Sequence, residues 1–262
     1  MSLKYILEYN NKKYSNIDLI NTFYDLGIKK GDILCVHTEL FNFGIPLLAK
    51  NEFLQSIIDC FFEVIGKEGT LIMPTFTYSF CKNEVYDKLN SITKMGALNE
   101  YFRKWGGAKR TNDPIFSFAI KGEKENLFLK DTTSCFGKDC VYEILIQQNA
   151  KYMLFGTRTG HTLTHHIEEK YGVDYRYFKN FKGILIDENG IKHDKNINYY
   201  VRCLDKNSLP NVDNINHITK QTKNFKYKPF GGAHIYLYNA KEYENAIKNA
   251  LDKDKDIFII KD

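Results

Sequence analysis

The stretch KYMLFGTRTGHTLTHHIEEKYG, residues 151–172, contains the pattern on which the fold prediction depends. Residues 152–155 are apolar or aromatic, which is typical of a short buried strand. Gly156 and Gly160 mark a loop, and the following residues 164–172 carry a helical pattern that ends at a glycine. A strand, a loop and a helix in succession are the repeating unit of α/β proteins.

The rest of the chain continues this alternation of helical and extended patterns. The predicted helices cover residues 15–27, 50–66, 96–105, 142–148, 164–172 and 238–253. The predicted strands cover residues 33–37, 70–74, 115–120, 151–155, 183–187, 197–203 and a closing segment at 257–260. The two strands at 183–187 and 197–203 alternate as a hairpin does, with a turn at 188–190. These patterns predict an α/β/α sandwich with a mixed central sheet, and the lack of a linker predicts a single domain over residues 1–262.

Composition excludes several classes of protein. The chain has 262 residues, a formal net charge of +5 and no apolar run long enough for a transmembrane helix, so we expect no membrane insertion. No dense basic block with interleaved aromatics is present, so we expect no nucleic-acid partner. The six cysteines form no CxxC pair, and we expect reduced thiols in a cytoplasmic protein. The oligomeric state stays open, with a homodimer as one alternative.

Common nucleotide and hydrolase motifs are missing from the sequence. There is no GxxxxGK[ST] phosphate loop, no GxGxxG after the first predicted strand, no GxSxG and no HExxH.

The chemistry is predicted at the start of the helix that follows Gly160. His165 lies in its first turn, and Glu168 and Glu169 follow three and four residues later, near the same helix face. A carboxylate beside an imidazole fixes its tautomer, and the pair can then act as a general base. Alternatively, His165 caps or packs the helix while the glutamates face solvent. A third possibility is a metal site built from His161, His165 and Glu169.

Other stretches end predicted strands with polar side chains. VHTELFNFG (36–44) and GTLIMPTF (69–76) each follow an apolar run, and RTNDPIFSFAIKG (110–122) places a guanidinium and a carboxylate before a strand. Ligands of open α/β sheets bind at the carboxyl ends of the strands.

Five segments in this order resemble the aminoglycoside 3-N-acetyltransferase family. That family typically shows VHSSLSSLG, GTLVMPTF, RSxHPxxSFAAxG, FGxxSPY and TxLHxAE. This chain has the three stretches above, then FGKDCVY (136–142) and TLTHHIEE (162–169), and the resemblance spans about residues 17–185. Asp113 stands where the family has His, and Cys140 where it has Ser, so we assign neither a catalytic role. YRYFKNF (175–181) looks like a segment of members that acetylate biosynthetic amino sugars.

The resemblance implies transfer of an acetyl group from acetyl-CoA to an amine of an amino sugar, without a metal. His165 would be the general base and Glu168 its partner, although the spacing alone also allows Glu169. Residues implied to line the CoA arm are His37, Thr38, Glu39, Pro74, Thr75, Phe76 and Arg110. Residues implied to bind the small-molecule acceptor are Thr77, Thr162, Glu169, Tyr175, Arg176 and Lys179.

The charge of the chain favours an anionic acceptor. A nucleotide-linked amino-deoxy sugar for surface glycan biosynthesis would suit Arg176, Lys179 or Lys182, whereas a polycationic aminoglycoside needs acidic residues. An antibiotic-resistance acetyltransferase is therefore the alternative. Other classes left open are an acyltransferase with Cys135 or Cys140 as nucleophile, a metal-dependent hydrolase and a CoA-binding module without activity.

Overall fold

The computed structural model describes residues 2–205 and 207–261. Its helices are α1 (Asn16–Asp25), α2 (Lys50–Ile65), α3 (Ala97–Arg103), α4 (Val141–Gln147), α5 (Leu163–Tyr171), α6 (Val212–Thr219) and α7 (Ala240–Lys253). Its strands are β1 (Tyr5–Tyr9), β2 (Lys12–Ser15), β3 (Ile33–Thr38), β4 (Ile45–Pro46), β5 (Thr70–Pro74), β6 (Tyr86–Asp87), β7 (Lys109–Arg110), β8 (Phe118–Gly122), β9 (Lys151–Phe155), β10 (Arg176–Ile186), β11 (Lys192–Arg202), β12 (Lys226–Phe230) and β13 (Ala233–Asn239).

A seven-stranded sheet in the order β12-β13-β9-β3-β5-β8-β7 forms the centre of the fold. The inner strands β9, β3 and β5 are parallel, and β13 and β8 add to them in antiparallel orientation. The carboxyl ends of the three parallel strands therefore meet at one edge, where Phe155, Thr38 and Pro74 end them. Such an edge is where ligands bind in open α/β sheets.

Side chains alternate between two cores on opposite faces of this sheet. Leu34 and Val36 of β3 join the core that includes α1, α2 and α3. Cys35 of the same strand joins the core that includes α4, α5 and α7. The predicted α/β/α sandwich with a mixed sheet is confirmed.

Several predicted elements differ from the structure. The hairpin β10–β11 pairs along all eleven residues of each strand, so it is longer than the two predicted strands. It lies in a separate sheet with β6, so the mixed character of the central sheet comes from β7, β8, β12 and β13 instead. β8 begins at Phe118 rather than at 115, because Asp113 binds the amides of Ile115 and Phe116 and holds them in a turn.

The sequence patterns also missed elements. The predicted closing strand at 257–260 is wrong, since only Ile259 makes a single bridge, to Pro210. The hairpins β1–β2 and β12–β13 and the helix α6 were not predicted. β12 reads KYKPF, with mostly polar or exposed positions and a proline, as an edge strand does.

Further predictions concern membrane insertion, the cysteines, the domain organisation, the oligomeric state and the location of the protein. Among the described residues, no helix is long and apolar enough to cross a membrane. Each of the six cysteines is a free thiol. The single-domain organisation, the homodimer and the cytoplasmic location stay predictions.

Two histidines are buried close to the sheet edge. Burial lowers the pKa of His37 to about 3 and that of His161 to about 4. An unfolded chain binds a proton on each imidazole below about pH 6.5, while the folded chain still excludes it. Stability therefore falls as the pH decreases from about 6.5 toward 4, because the unfolded state binds more protons in that window.

We predict that His161→Gln flattens this decline. The variant loses about 1 kcal/mol near neutral pH with its buried hydrogen bonds, but its free energy of unfolding decreases less between pH 6.5 and 4 than that of the wild type. Urea denaturation at several pH values measures both. His217→Gln, at an exposed histidine, is the matched control and should keep the wild-type slope. Equal slopes for all three proteins would contradict the prediction.

Candidate active site

The loop between β9 and α5 delivers the candidate base to the sheet edge. Helix α5 begins at Leu163, with Thr162 as its N-cap, so His165 lies in the first turn as predicted. Gly160 packs against the side chain of His37, and its carbonyl accepts a hydrogen bond from the Tyr152 hydroxyl. These contacts hold the loop on the end of β3.

His165 and Glu168 are in direct contact. Nδ1 of His165 lies 2.7 Å from Oε2 of Glu168. Glu169 faces elsewhere, since its Oε1 accepts a hydrogen bond of 2.7 Å from the Ser134 hydroxyl. Of the two glutamates that the sequence left open, Glu168 is therefore the one in contact with His165.

The Glu168 carboxylate is buried and fully engaged. Its side chain is 4% exposed, yet Tyr175 donates a hydrogen bond of 3.0 Å to Oε1 and Nε of Arg176 lies 2.8 Å from Oε2. Burial opposes its charge, but the hydrogen bond from His165 and the charge of Arg176 hold the pKa of Glu168 below its usual value. The carboxylate is therefore ionised at neutral pH.

The His165 imidazole is neutral and open on one side. Burial and the nearby charges of Arg176 and Arg202 lower its pKa, and these effects outweigh the hydrogen bond to Glu168. The side chain is 23% exposed, and within the described part of the chain no protein group hydrogen-bonds Nε2. A neutral imidazole with Nδ1–H directed at a carboxylate leaves a free lone pair on Nε2, as a general base requires.

Arg176 does not occupy the position predicted for it. Its side chain is 2% exposed and lies beneath the His165–Glu168 pair, so the guanidinium does not face an acceptor. Tyr175 is likewise buried, with its hydroxyl on Glu168. Lys179 and Thr162 remain accessible, whereas Thr77 is buried and its hydroxyl donates to the carbonyl of Pro114.

Most side chains predicted along the CoA arm are also buried. His37, Thr75 and Phe76 are at most 2% exposed, and Pro74 is buried as the last residue of β5. The Arg110 guanidinium donates to the carbonyls of Thr75, Lys88 and Ser91, so it holds the loop after β5 rather than a phosphate.

Thr38 and Glu39 are the exception. They line a cavity of about 770 Å³ together with Leu40, Phe41, Gly44, Pro46, Leu48, Lys50, Phe53, Leu54, Lys94, Met95, Gly96 and Ala97. This volume is within the range of small-molecule and cofactor sites.

One aromatic side chain, Phe136, packs against the His165 ring, and a second, Tyr199, packs against Phe136. The Phe136 ring lies 5.4 Å from the His165 ring, and Tyr199 of β11 lies 5.9 Å from Phe136. Phe136 belongs to the quoted FGKDCVY segment and was within reach of the prediction. Tyr199 and Arg202 carry no sequence signal, because only the long hairpin brings Tyr199 onto Phe136 and the charge of Arg202 close enough to affect His165.

Two competing chemistries do not fit this geometry. Burial raises the pKa of Cys135 and Cys140 far above that of a reactive thiol, and Cys140 lies 3.6 Å from His166 rather than near His165. His161 is hydrogen-bonded to Tyr243 and Asn216, and no three potential ligands cluster among residues 2–205 and 207–261.

Comparisons with known proteins agree on one family. A family model described as aminoglycoside 3-N-acetyltransferase matches residues 35–252. An SPbeta prophage-derived aminoglycoside N(3')-acetyltransferase-like protein YokD of Bacillus subtilis (strain 168) is 27% identical over 134 residues, 43% of this chain and 48% of that protein. Aminoglycoside N(3)-acetyltransferase IX of Micromonospora chalcea is 28% identical over 166 residues, 55% of this chain and 58% of that protein. The matches thus span about half the length of these relatives.

Solved structures share the fold over nearly the whole chain. AAC-VIa with bound sisomicin superposes with a TM-score of 0.79 at 19% identity, over 92% of this chain and 98% of that one. AAC-IIIb in a binary complex with CoASH gives 0.77 at 18% identity, over 91% and 96%.

We predict that Gly160→Ala destabilises the loop that carries the site. An added Cβ would lie 2.8 Å from Cβ of His37 and 3.0 Å from a methyl of Leu154, so one of them must move. Such overpacking costs about 1–3 kcal/mol, to be measured by urea denaturation. Gly106→Ala, with no heavy atom within 4 Å of the added Cβ, is the control and should unfold like the wild type. Wild-type stability of Gly160→Ala would show that the loop is free to shift.

Proposed function

The chain belongs to the aminoglycoside 3-N-acetyltransferase family, and on this premise we propose that it transfers the acetyl group of acetyl-CoA to an amine of an amino sugar. The observation that carries the proposal is the His165–Glu168 contact of 2.7 Å, in which Nε2 of His165 stays unpartnered and accessible within the described residues. No metal is required by this chemistry.

The reaction needs one proton acceptor and one polar site for the thioester oxygen. The amine nitrogen attacks the thioester carbonyl, a C–N bond forms, and the amine proton moves to Nε2 of His165. The C–S bond then breaks, and the CoA thiolate takes a proton from the imidazolium or from water. Glu168 accepts the Nδ1–H hydrogen bond throughout and fixes the ring in the productive tautomer. Binding amine and thioester together supplies further rate by proximity.

The cavity beside Thr38 and Glu39 is our proposed site for CoA. It lies at the carboxyl end of β3, on the same sheet edge as the loop that bears His165. Its lining combines apolar side chains, which suit a pantetheine arm, with Lys50 and Lys94, which suit phosphate groups. The backbone of the turn after β3, rather than the buried His37 side chain, would meet the cofactor.

Two acceptors remain in competition. The family and the names of the relatives support an aminoglycoside better than the nucleotide-linked sugar that charge alone favours. One observation still favours the anionic acceptor, namely the positive charge near the base. The charge of Arg202 lowers the pKa of His165, and Lys179 is exposed on β10, the strand that begins beneath His165. We propose an aminoglycoside-type amino sugar as the principal acceptor and a nucleotide-linked amino sugar as the second candidate.

We predict that His165→Ala lowers the rate of thiol release from acetyl-CoA by about 10²–10⁴-fold, the usual contribution of a general base. Cys140→Ser should stay active, because Cys140 caps α4 and its sulfur lies against His166 rather than His165. Because burial and Arg176 lower the pKa of His165, the acidic limb of kcat/KM should lie below about pH 6.5. An inactive Cys140→Ser beside an active His165→Ala would refute the proposal.

A charge-reversal experiment discriminates the acceptors. Thiol release is measured with a kanamycin-like aminoglycoside and with a nucleotide-linked amino-dideoxy sugar, using the wild type and Lys179→Glu. We expect faster turnover of the aminoglycoside, and a lower KM for it in Lys179→Glu, since a new carboxylate attracts a polycation. Lys67→Glu, at the opposite edge of the sheet, is the control and should change neither KM. Faster turnover of the nucleotide-linked sugar, with a raised KM in Lys179→Glu, would select the second candidate.

A further inference from the structure

We propose that Arg176 is a positioning residue that anchors Glu168 and keeps His165 uncharged between turnovers, through a guanidinium packed against Nδ1 of the imidazole. The effect on rate rests on the proposed function, whereas the effect on the protonation of His165 does not. Neither the family match nor the sequence assigns this role, since the motif around Arg176 predicts an acceptor-binding side chain.

Arg176 contacts both members of the pair at once. Nε lies 2.8 Å from Oε2 of Glu168, and Nη2 lies 3.0 Å from Nδ1 of His165. Nη1 donates a hydrogen bond of 3.2 Å to the carbonyl of Tyr200, on the neighbouring strand. As the first residue of β10, Arg176 is thus fixed by the long hairpin, and its side chain is almost fully buried.

Nδ1 of His165 has room for only one of two hydrogen bonds. A guanidinium N–H only donates and an ionised carboxylate only accepts, so Nδ1 either gives its hydrogen to Glu168 or accepts one from Arg176. The first state leaves the lone pair on Nε2, as the proposed chemistry requires. The ionised state of Glu168, which Arg176 supports, favours this tautomer.

The balance of charge around the ring works against the imidazolium. The charged groups that face His165 are Glu168 from α5, Arg176 from β10 and Arg202 from β11. Burial is the largest effect that lowers the pKa of His165, and the charge of the Arg176 guanidinium comes next, ahead of the opposing hydrogen bond and charge of Glu168. A lone His–Glu pair, by contrast, would stabilise the imidazolium.

This arrangement suits a base that must release its proton in every cycle. An imidazolium formed by uptake of the amine proton is pressed against the Arg176 guanidinium, which favours its transfer to the departing thiolate. Arg176 thereby makes His165 a weaker base, and in return the imidazolium loses its proton more readily.

Histidine NMR tests the inference without reference to activity. The ring carbon and nitrogen signals of His165 are followed against pH, with His165→Ala used to assign them. In the wild type, His165 should titrate below the usual histidine value of about 6.5 and should be the Nδ1–H tautomer when neutral. In Arg176→Met the midpoint of the His165 titration should rise by about one to three pH units. This is the range expected from Coulomb's law when one positive charge is removed at roughly 4 Å.

Further variants keep the test decisive. Glu168→Gln should lower the midpoint, and the double variant should return it toward the wild-type value. Lys192→Gln removes an exposed charge near the hairpin turn and should leave the midpoint unchanged. If Arg176→Met does not fold, Arg176→Lys, which keeps the charge, should titrate like the wild type and retain most of the wild-type rate. A wild-type midpoint at or above the usual histidine value of about 6.5, or an unchanged midpoint in a folded Arg176→Met, overturns the inference.

Activity separates this inference from the proposed function. Arg176→Met should lower kcat/KM and move its acidic limb to higher pH by the same amount as the NMR midpoint. If the wild type releases no thiol with any amine while the titrations behave as expected, the proposed function fails and the role of Arg176 stands. If thiol is released and the titrations do not move, only the role of Arg176 fails.

Discussion

A buried carboxylate is the constraint on which the site depends. Glu168 is almost fully excluded from water, and an isolated ionised carboxylate in that position would be strongly destabilising. Three side chains compensate it, namely His165 from its own helix, and Tyr175 and Arg176 from the start of β10. The helix, the tight turn after it and the hairpin must therefore be assembled together before the base has its geometry.

The sequence predicted the part of this site that is local. A helix places residues three and four apart near one face, so spacing brings both Glu168 and Glu169 near His165, and the structure shows the contact with Glu168. The strand, loop and helix of residues 151–172 follow equally from periodicity and glycine positions. The direction in which Arg176 points does not, because in a strand it depends on the register with β11 and on the helix beneath. The sequence pattern therefore predicts that Arg176 faces a ligand, whereas in the structure it faces the buried Glu168 carboxylate.

The same limit explains the predicted cofactor residues. Hydroxyl and charged side chains at strand ends are typical of binding sites, but they also serve buried loops that lack regular hydrogen bonding. Thr75 and Ser117 bond to each other and Arg110 binds three carbonyls, so these groups satisfy the backbone of long loops. Sequence patterns do not separate the two uses, because both need polar groups at the same edge. The antiparallel additions β12 and β13 were missed for a related reason, since their pairing with β9 is fixed by partners distant in the chain.

Accessibility, rather than basicity, distinguishes the candidate base from the other imidazoles near it. His37, His161, His165 and His166 all have lowered pKa values, chiefly because of burial, so each is neutral at pH 7. Nε2 of His37 and Nε2 of His166 are buried without a partner, and His161 uses both ring nitrogens in hydrogen bonds. Of these four rings, His165 alone combines an anchored Nδ1 with an accessible, unpartnered Nε2. A neutral ring becomes a base for an external amine only when such a nitrogen meets solvent, and the position of His165 in the first turn of α5 provides this.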